Sequence, residues 1–385
     1  MLCLLLFFLA DSFEGTYREG LVALNDNNLA TAEATLESAS KLQPQDARVW
    51  LALAQTYWKL RKSQAAAVAA KRAESFARDP AILHALAFYH SEAANYTKAA
   101  ELEARYAESV PEAFSSAIEL YLQAGKPKPA IEVARRALKS DDRAELHSLL
   151  GKAYDADGEP AKAIAEFKAA ITHSPYNESF YSDLAQLQLK QQSFAAALET
   201  LDAGRKYFDK SAQLELAAGV TYYGLRRFPE AIDAFLRTIK LNPAVDQPYV
   251  FLGRMLDQAE DRMPRILEVF SAFAIRRPQS YLSSFLYGKA LARESPQDAA
   301  PMLRKSIARN GAFWESHFEL GILLQRDGLL AEAASEFRRS IELNPKDPTA
   351  HYRLAQTYDR LGKADEARVE RELHAKLSAV GTSEK

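Results

Sequence analysis

Histidine side chains are the residues of this 385-residue chain that could most readily bind a metal or transfer a proton. The seven histidines do not gather in the sequence: His147, His317 and His351 occupy one recurring position, 34 or more residues apart. We interpret these three as packing residues. His84 and His90 would share a helix, but a separation of six places them on different faces, which disfavours a metal site that uses both.

The acidic residues and the single cysteine add little chemistry. Asp141 and Asp142 precede a predicted helix, where carboxylates ordinarily cap the first turn. Cys3 is alone, so it cannot form a disulfide within the chain or build a thiolate metal site. The sequence contains no phosphate-binding loop, no G-x-S-x-G nucleophile motif and no H-E-x-x-H zinc motif. It therefore predicts a protein that is not an enzyme and uses no metal or cofactor.

The composition defines the fold class. Hydrophobic residues make up 48% of the chain, which is too apolar for a disordered protein. The 49 Lys and Arg residues nearly balance the 51 Asp and Glu residues, so no basic excess indicates a nucleic-acid partner. Only 15 glycines and 16 prolines accompany abundant alanine. This composition favours closely packed helices over sheets, and we expect an all-α protein.

Small side chains recur in a fixed context at steps of 34 residues or close to it. The first series is Gly20, Ala54, Ala87, Gly151, Ala185, Gly219, Gly253, Gly288, Gly321 and Ala355. The second, about twelve residues downstream, is Ala32, Ala66, Ala99, Ala130, Ala163, Ala197, Ala231, Ile266, Ala299 or Ala300, Ala333 and Ala367. The step from Ala87 to Gly151 is 64 residues long and therefore holds two slightly shortened units. Ala117 and Ile118 lie where the small residue between them is expected. Two series in phase indicate tandem repeats.

Each unit reads as two amphipathic helices joined by a turn. In the fifth unit, apolar residues recur at helical spacing, stop at Gly158, and resume before Pro175. Small residues in both series allow the two helices to approach closely, and aromatic residues such as Phe167 fill the adjacent space. Asp347 before Pro348 fits a helix N-cap followed by proline in the first turn.

This pattern resembles the tetratricopeptide repeat family, whose signature has an aromatic residue, Leu-Gly and Tyr, followed by Ala, Phe and Pro. The matching residues include Trp50, Leu53, Ala54 and Tyr57; Ala163, Phe167 and Pro175; and Leu320, Gly321, Ala333, Phe337 and Pro345. The resemblance implies an α-solenoid, a right-handed superhelix of antiparallel helix pairs. We expect about eleven repeats over residues 13–380, an apolar leader at 1–12 and a polar tail at 381–385.

Three repeats depart from the pattern. Repeat eight, residues 246–280, replaces the turn glycine with the segment 260–264 and has Ile266 in place of alanine, which predicts a splayed or shifted helix pair. Repeat four has Ile118, or Ala117, at the close-approach position, so its helix crossing could differ. Repeat eleven, residues 348–380, has Arg371 at the aromatic position, which predicts a solvated C-terminal cap.

The leader is an apolar run of nine residues from Leu2 to Ala10. This is about half the length of a membrane-spanning helix, so no integral membrane span is expected. A signal-peptide core and an N-terminal helix packed on the first repeat are both compatible with it. We favour export, to a periplasmic or secreted location, over a cytoplasmic one.

The resemblance implies that the first helix of each repeat lines a concave groove. The residues that the resemblance places on the groove side of these helices in repeats seven to eleven are Leu216, Val220, Tyr223, Val250, Arg254, Asp257, Phe285, Lys289, Phe318, Ile322 and Tyr352. In repeats four to six they are polar: Ser115, Glu119, Ser148, Lys152, Asp155, Ser182 and Gln186. Aromatic residues beside isolated cations favour an extended peptide with an acidic group or free carboxylate. The alternative is that several are half-buried contacts between repeats, and that Arg254 pairs with Asp257.

The sequence thus predicts a non-catalytic scaffold that binds a protein or extended peptide in the groove. An alternative is a substrate-presenting or assembly subunit of an enzyme complex, such as a glycosyltransferase or envelope or secretion machinery. Self-association through an uncovered end of the repeat stack is a third possibility. The clamp that binds terminal carboxylates in related chaperone adaptors is absent, because Gln55, Phe88 and Glu119 hold the comparable positions.

Overall fold

The computed structural model describes residues 2–383, and the side chains of residues 13–379. Within this part of the chain it contains α-helices and three short 3-10 helices and no β-strand. The all-α fold predicted from composition and periodicity is therefore confirmed. By internal contacts the chain divides into two compact units, Met1–Leu187 and Gln188–Lys385.

The first unit is built from ten helices and most of an eleventh. They are α1 (Leu2–Asn25), α2 (Leu29–Leu42), α3 (Ala47–Lys59), α4 (Ser63–Phe76), α5 (Pro80–Glu92), α6 (Tyr96–Tyr106), α7 (Phe114–Gln123), α8 (Pro127–Ala137), α9 (Ala144–Ala156), α10 (Pro160–His173) and α11 (Glu178–Lys190). A 3-10 helix, Pro111–Ala113, precedes α7.

The second unit contains the remaining helices. They are α12 (Phe194–Arg205), α13 (Ala212–Gly224), α14 (Phe228–Leu241), α15 (Gln247–Arg254), α16 (Met263–Arg276), α17 (Tyr281–Glu294), α18 (Pro296–Arg309), α19 (Trp314–Arg326), α20 (Leu330–Leu343), α21 (Pro348–Arg360) and α22 (Ala364–Ser383). Two 3-10 helices, Leu256–Gln258 and Glu260–Arg262, lie between α15 and α16.

Consecutive helices pack as hairpins, as the two phased series predict. In the first unit α9 packs on α10, and in the second α19 packs on α20. Gly158 lies between α9 and α10 with a φ of +78°, a backbone conformation that glycine adopts without steric cost. Asp347 caps α21 by accepting a hydrogen bond from the Thr349 backbone N–H at 2.9 Å, and Pro348 starts the helix. The predicted turn and cap are both confirmed.

Glycine allows the two helices of several hairpins to touch. A Cβ atom on Gly151 would lie 2.8 Å from the Phe167 ring, and one on Gly321 would lie 2.7 Å from the Phe337 ring. Real Cβ atoms essentially never approach so closely. The interpretation of the small residues as close-approach positions is therefore confirmed at these hairpins.

Repeat eight has the irregular geometry that its sequence predicts. Its first helix, α15, is only eight residues long, and the two 3-10 helices replace the usual last turns. A Cβ atom on Gly253 would clash with Leu286 of the following repeat rather than with a residue of its own second helix. Ile266 is fully buried. The helix pair is thus out of register with its neighbours.

The two ends of the chain differ in what can be described. In α22, Ala367 is the one buried side chain among those described, so most of this helix is exposed to solvent, as its sequence predicts. Leu2–Ala10 forms the start of α1, but the side chains of residues 1–12 lie outside the described part. Among the described residues, no helix combines the length and the apolar character needed to span a membrane. Residues 381–383 of the expected polar tail belong to α22, but their side chains and residues 384–385 lie outside the described part.

Candidate interaction surface

The groove candidates of repeats seven to eleven lie on first helices of the second unit, except Asp257, which lies in the 3-10 helix Leu256–Gln258. Their accessibility divides them into three groups. Arg254 and Tyr352 are exposed, whereas Phe285 is only 6% exposed. The partly buried members are Leu216, Val220, Tyr223, Val250, Lys289, Phe318 and Ile322.

Several apolar members serve as packing contacts. The Tyr223 ring lies edge-on to Phe251, with centroids 5.2 Å apart. Phe285 lies edge-on to Phe313 at 5.0 Å, and its burial removes it from any accessible surface. Phe318 packs on Phe337, with ring centroids 5.9 Å apart. For these residues the alternative of half-buried contacts describes the structure better than exposed groove aromatics.

The two predicted cations have different partners. Lys289 Nζ lies 3.1 Å from Glu319 Oε1, so an internal carboxylate already matches its charge. Arg254 lies over the Phe251 ring at 5.8 Å, and among the described residues none forms an ion pair with it. The alternative pairing of Arg254 with Asp257 is wrong, because Asp257 binds Arg293 of the next first helix, with 3.2 Å between Nε and Oδ1.

A glutamate near these cations gives the surface a mixed charge. Glu315, in the first turn of α19, has a buried Oε2 without a hydrogen-bond partner in the described part of the chain. Burial raises the pKa of Glu315, and the charges of Lys289 and Arg254 offset part of that rise. The surface of repeats eight to ten therefore contains carboxylates as well as cations.

The expected polar middle contains internal contacts. Lys152 Nζ lies 3.0 Å from Asp183 Oδ2, and the Ser148 hydroxyl donates to the same oxygen at 3.3 Å. Ser148 and Ser182 are both buried. Lys152 and Ser148 are thus paired within the first unit, whereas Glu119 and Gln186 are exposed.

A cavity on the first helices of repeats one to three was not predicted. Its volume is about 250 Å³, and it opens beside Trp58, with 38% of that residue exposed, and Phe88, with 63% exposed. Trp58 lies edge-on to Tyr89 at 6.4 Å. The remaining lining residues are Leu24, Asn25, Gln55, Lys59 and Glu92. The sequence carries a signal for this cavity, since Gln55 and the large apolar residue Phe88 both hold inward positions.

Four histidines link the two helices of their hairpins through the same contact. In each, Nδ1 faces a glutamate Oε2 on the second helix, at 2.6 to 2.9 Å. The pairs are His84–Glu103, His147–Glu166, His317–Glu336 and His351–Glu370. His147, His317 and His351 are therefore packing residues that also make a hydrogen bond. In each pair the histidine and the glutamate are 19 positions apart, a constant spacing that is visible in the sequence.

His84 and His90 point to different carboxylates, as their spacing predicts. His84 contacts Glu103 on α6, whereas His90 Nε2 lies 2.9 Å from Glu74 Oε1 on α4. The two rings therefore do not converge on one site.

The expectation that the histidines do not gather is wrong at one place. The rings of His147 and His173 lie 5.0 Å apart, and the Nε2 atoms of both face Asp142. Hydrogen bonds to His147 and His173 lower the pKa of Asp142. The pKa of His173 is raised by its contact with the Ala169 carbonyl and then by Asp142. These three residues are the one group in the described part of the chain whose ligand atoms are close enough to hold a metal ion.

The capping role expected of Asp141 and Asp142 is also wrong. The N-cap residue of α9 is Arg143, and no side chain caps the helix. Asp141 instead pairs with Arg143 at 2.9 Å, and Asp142 binds the two histidines. Both carboxylates are therefore held by cationic or imidazole groups rather than by backbone N–H groups.

Solved structures with detectable similarity share little sequence with this chain. Yeast Tom70 is 15% identical with a TM-score of 0.41, over 96% of this chain and 92% of that one. The APC/C hetero-tetramer Cut9-Hcn1 is 12% identical with a TM-score of 0.43, over 95% and 94%. YrrB, described as a TPR protein with an unusual peptide-binding site, is 20% identical with a TM-score of 0.34, over 55% and 91%. No curated protein matches the chain.

Family models match most of the sequence directly. One tetratricopeptide repeat model matches residues 17–81, 116–178 and 289–348. Two further tetratricopeptide repeat models match residues 156–219 and 336–369. The matches together span more than half of the chain and agree with the hairpins and small-residue contacts described above. This chain therefore belongs to the tetratricopeptide repeat family.

Proposed function

We propose that this chain is a non-catalytic scaffold that binds a protein or an extended peptide on the first helices of its repeats. The observation that carries the proposal is the cavity lined by Trp58 and Phe88. The Phe88 side chain is 63% exposed, which is unusual for a large apolar residue. Exposed aromatic residues around a concavity are typical anchors for a partner side chain. The family fold supports the same function.

The cavity suits an apolar side chain of the partner. Trp58, Phe88 and Tyr89 offer aromatic surface, and the volume of about 250 Å³ is adequate for one large side chain. Asn25 and Gln55 at its edge can hydrogen-bond to the backbone of an extended peptide. Lys59 and Glu92 add one charge of each sign, so this pocket selects for shape and apolar character rather than for net charge.

A separate candidate contact surface lies on the second unit around Arg254. Its guanidinium is exposed and rests on an aromatic ring, so it can bind an acidic group of a partner without breaking an internal ion pair. Tyr352, also exposed, is a further apolar contact of the predicted set. Lys289 is a weaker candidate, because a ligand would have to displace Glu319.

Affinity capture with the full-length chain, followed by mass spectrometry, tests the proposal. Phe88→Ala and Arg254→Gln should each weaken binding of the captured partner at least about tenfold, because anchors of this kind commonly contribute more than 1 kcal/mol. The matched controls are Ile275→Ala, which removes a 77% exposed apolar side chain from a second helix, and Lys152→Gln, whose charge is already paired.

The outcomes separate the alternatives. Loss of binding in Phe88→Ala or in Arg254→Gln but not in the controls supports the surface that contains the changed residue. Equal binding by all variants would place the partner elsewhere. A stable enzyme in the captured material would favour an assembly subunit of an enzyme complex over an independent scaffold.

A further inference from the structure

We propose that Asp142, His147 and His173 form a binding site for a divalent metal ion of the zinc type. The three residues come from one hairpin: Asp142 precedes α9, His147 lies in its first turns, and His173 ends α10. Their ligand atoms all lie within 4.8 Å of one another. The site is independent of the proposed peptide surface.

The hydrogen bonds on the far side of each ring prepare the nitrogen atoms for a metal. His173 Nδ1 lies 2.9 Å from the Ala169 carbonyl oxygen, which can only accept, so Nδ1 carries the hydrogen. His147 Nδ1 lies 2.7 Å from Glu166 Oε2, a carboxylate that likewise accepts. In the neutral rings both Nε2 atoms therefore present lone pairs. A carboxylate or carbonyl behind a histidine is the usual support for a metal ligand.

The two lone pairs converge on the carboxylate of Asp142, which is the third ligand and carries a negative charge. His147 Nε2 lies 2.8 Å from Asp142 Oδ1, and His173 Nε2 lies 3.3 Å from Oδ2. Neutral imidazole nitrogens and a carboxylate repel at such distances unless a proton or a metal cation lies between them. Ligand atoms around a tetrahedral Zn²⁺ ion are separated by about 3.3 Å, given bond lengths of about 2.0–2.1 Å. The 3.3 Å contact matches this spacing and the 2.8 Å contact is somewhat shorter, while the three ligand atoms all lie within 4.8 Å of one another.

The charge and accessibility of the cluster also suit a divalent cation. Asp142 and Glu166 contribute two negative charges, whereas the charge of Arg143 is balanced by Asp141. The Asp142 side chain is 69% exposed and that of His173 is 37% exposed, so an ion can enter from solvent. Three protein ligands leave a fourth position for water or for a histidine, cysteine or carboxylate of a partner.

Protons are the competing explanation for the geometry. If both Nε2 atoms were protonated, the cluster would be an ion triad of two imidazolium rings around Asp142 with no affinity for metal. The two arrangements differ in a measurable way, because only the neutral rings bind a cation.

Titration of the full-length, metal-stripped and untagged chain with Co²⁺ tests the site. We expect visible absorption of four-coordinate Co²⁺ with one equivalent bound per chain, displaced by Zn²⁺. His173→Gln and Asp142→Asn should each weaken Zn²⁺ binding at least about tenfold, and both positions are accessible enough for the fold to persist. Binding should weaken as the pH is lowered, because protons compete with the metal ion for the histidine nitrogen atoms.

The matched control is His317→Gln. His317 makes the same Nδ1 contact, with Glu336, but its Nε2 faces the Gly311 carbonyl rather than an Asp and a second histidine. This variant should bind Zn²⁺ like the original chain. Absence of Co²⁺ and Zn²⁺ binding at neutral pH would overturn the proposal in favour of the ion triad. Unchanged Zn²⁺ binding in both His173→Gln and Asp142→Asn would overturn it in favour of another location.

Discussion

Gly151 and Phe167 are in such close contact that a Cβ atom on the glycine would lie 2.8 Å from Cδ1 of the ring. The two residues belong to α9 and α10, so this contact sets how closely the helices of the hairpin approach. The same contact recurs at Gly219 with Phe235. Glycine at this position therefore has a packing role rather than a conformational one.

Gly151→Ala should destabilise the protein. Phe167 is only 3% exposed, so its ring cannot move aside without disturbing buried neighbours. Overpacking of this kind costs about 1–3 kcal/mol, and Gly151→Leu should cost more. Urea denaturation followed by circular dichroism measures the change as a lower midpoint.

The control for this prediction is Gly15→Ala. Gly15 lies in a helix with nothing within 4 Å of a built Cβ, so the helix propensity of alanine should stabilise it by about 0.5–1 kcal/mol. Equal midpoints for Gly151→Ala and the original chain would contradict the close-approach interpretation.

The sequence was sufficient to predict the hairpins because their determinants are local and repeated. A small residue on the first helix and an aromatic residue sixteen positions later, such as Gly321 and Phe337, must meet when two helices fold back on each other. The departure of repeat eight was equally readable, since segment 260–264 lacks the turn glycine and the structure has 3-10 helices there.

The site residues were harder to predict because they depend on side-chain packing. Phe285 lies at a position that faces the groove in the tetratricopeptide repeat family. In this protein Phe313, from the loop between α18 and α19, packs edge-on against it. His173 lies at the end of a second helix, outside the recurring histidine position. Its approach to His147 therefore depends on the hairpin geometry and on the loop that carries Asp142.

The pair formed by His351 and Glu370 should contribute measurably to stability. Its Nδ1 and Oε2 atoms are 2.6 Å apart, and both side chains are largely buried. A double-mutant cycle with His351→Gln and Glu370→Gln should give a coupling energy of about 0.5–3 kcal/mol, as expected for contacting residues in a shared network. Urea denaturation of the four proteins measures it.

An exposed pair provides the comparison. Lys363 and Glu366 lie 4.0 Å apart at an i, i+3 spacing, with about half of each side chain exposed. Their coupling should be only about 0.2–0.5 kcal/mol. Similar coupling energies in the two cycles would show that the histidine–glutamate contact has no special structural role.

Replacing Glu315 with glutamine should stabilise the protein at neutral pH. Burial raises the pKa of Glu315, so the folded state binds a proton more tightly than the unfolded state does. The protonated Glu315 side chain therefore contributes to the free energy of unfolding at low pH. This contribution is lost as the pH rises from the pKa of glutamate in the unfolded chain to the higher pKa in the folded protein. Glu315→Gln removes the charge and should raise the melting temperature at pH 7.

The pH dependence provides the control for Glu315. In Glu315→Gln the loss of stability between about pH 4 and pH 7 should be smaller than in the original chain. Glu332→Gln, an exposed first-turn glutamate of α20, should leave that pH dependence unchanged. Identical pH profiles for Glu315→Gln and the original chain would contradict a net penalty for burying this carboxylate.

Asp347→Ala should destabilise α21 by about 1 kcal/mol, because it removes the acceptor for the Thr349 backbone N–H. Without that oxygen the first turn loses both a hydrogen bond and the favourable interaction of a carboxylate with the helix N-terminus. The matched control is Asn28→Ala at the N-cap of α2, where no side-chain hydrogen bond is made, and it should change the urea midpoint little. Equal shifts for the two variants would show that the Asp347 side chain does not stabilise the helix as a cap.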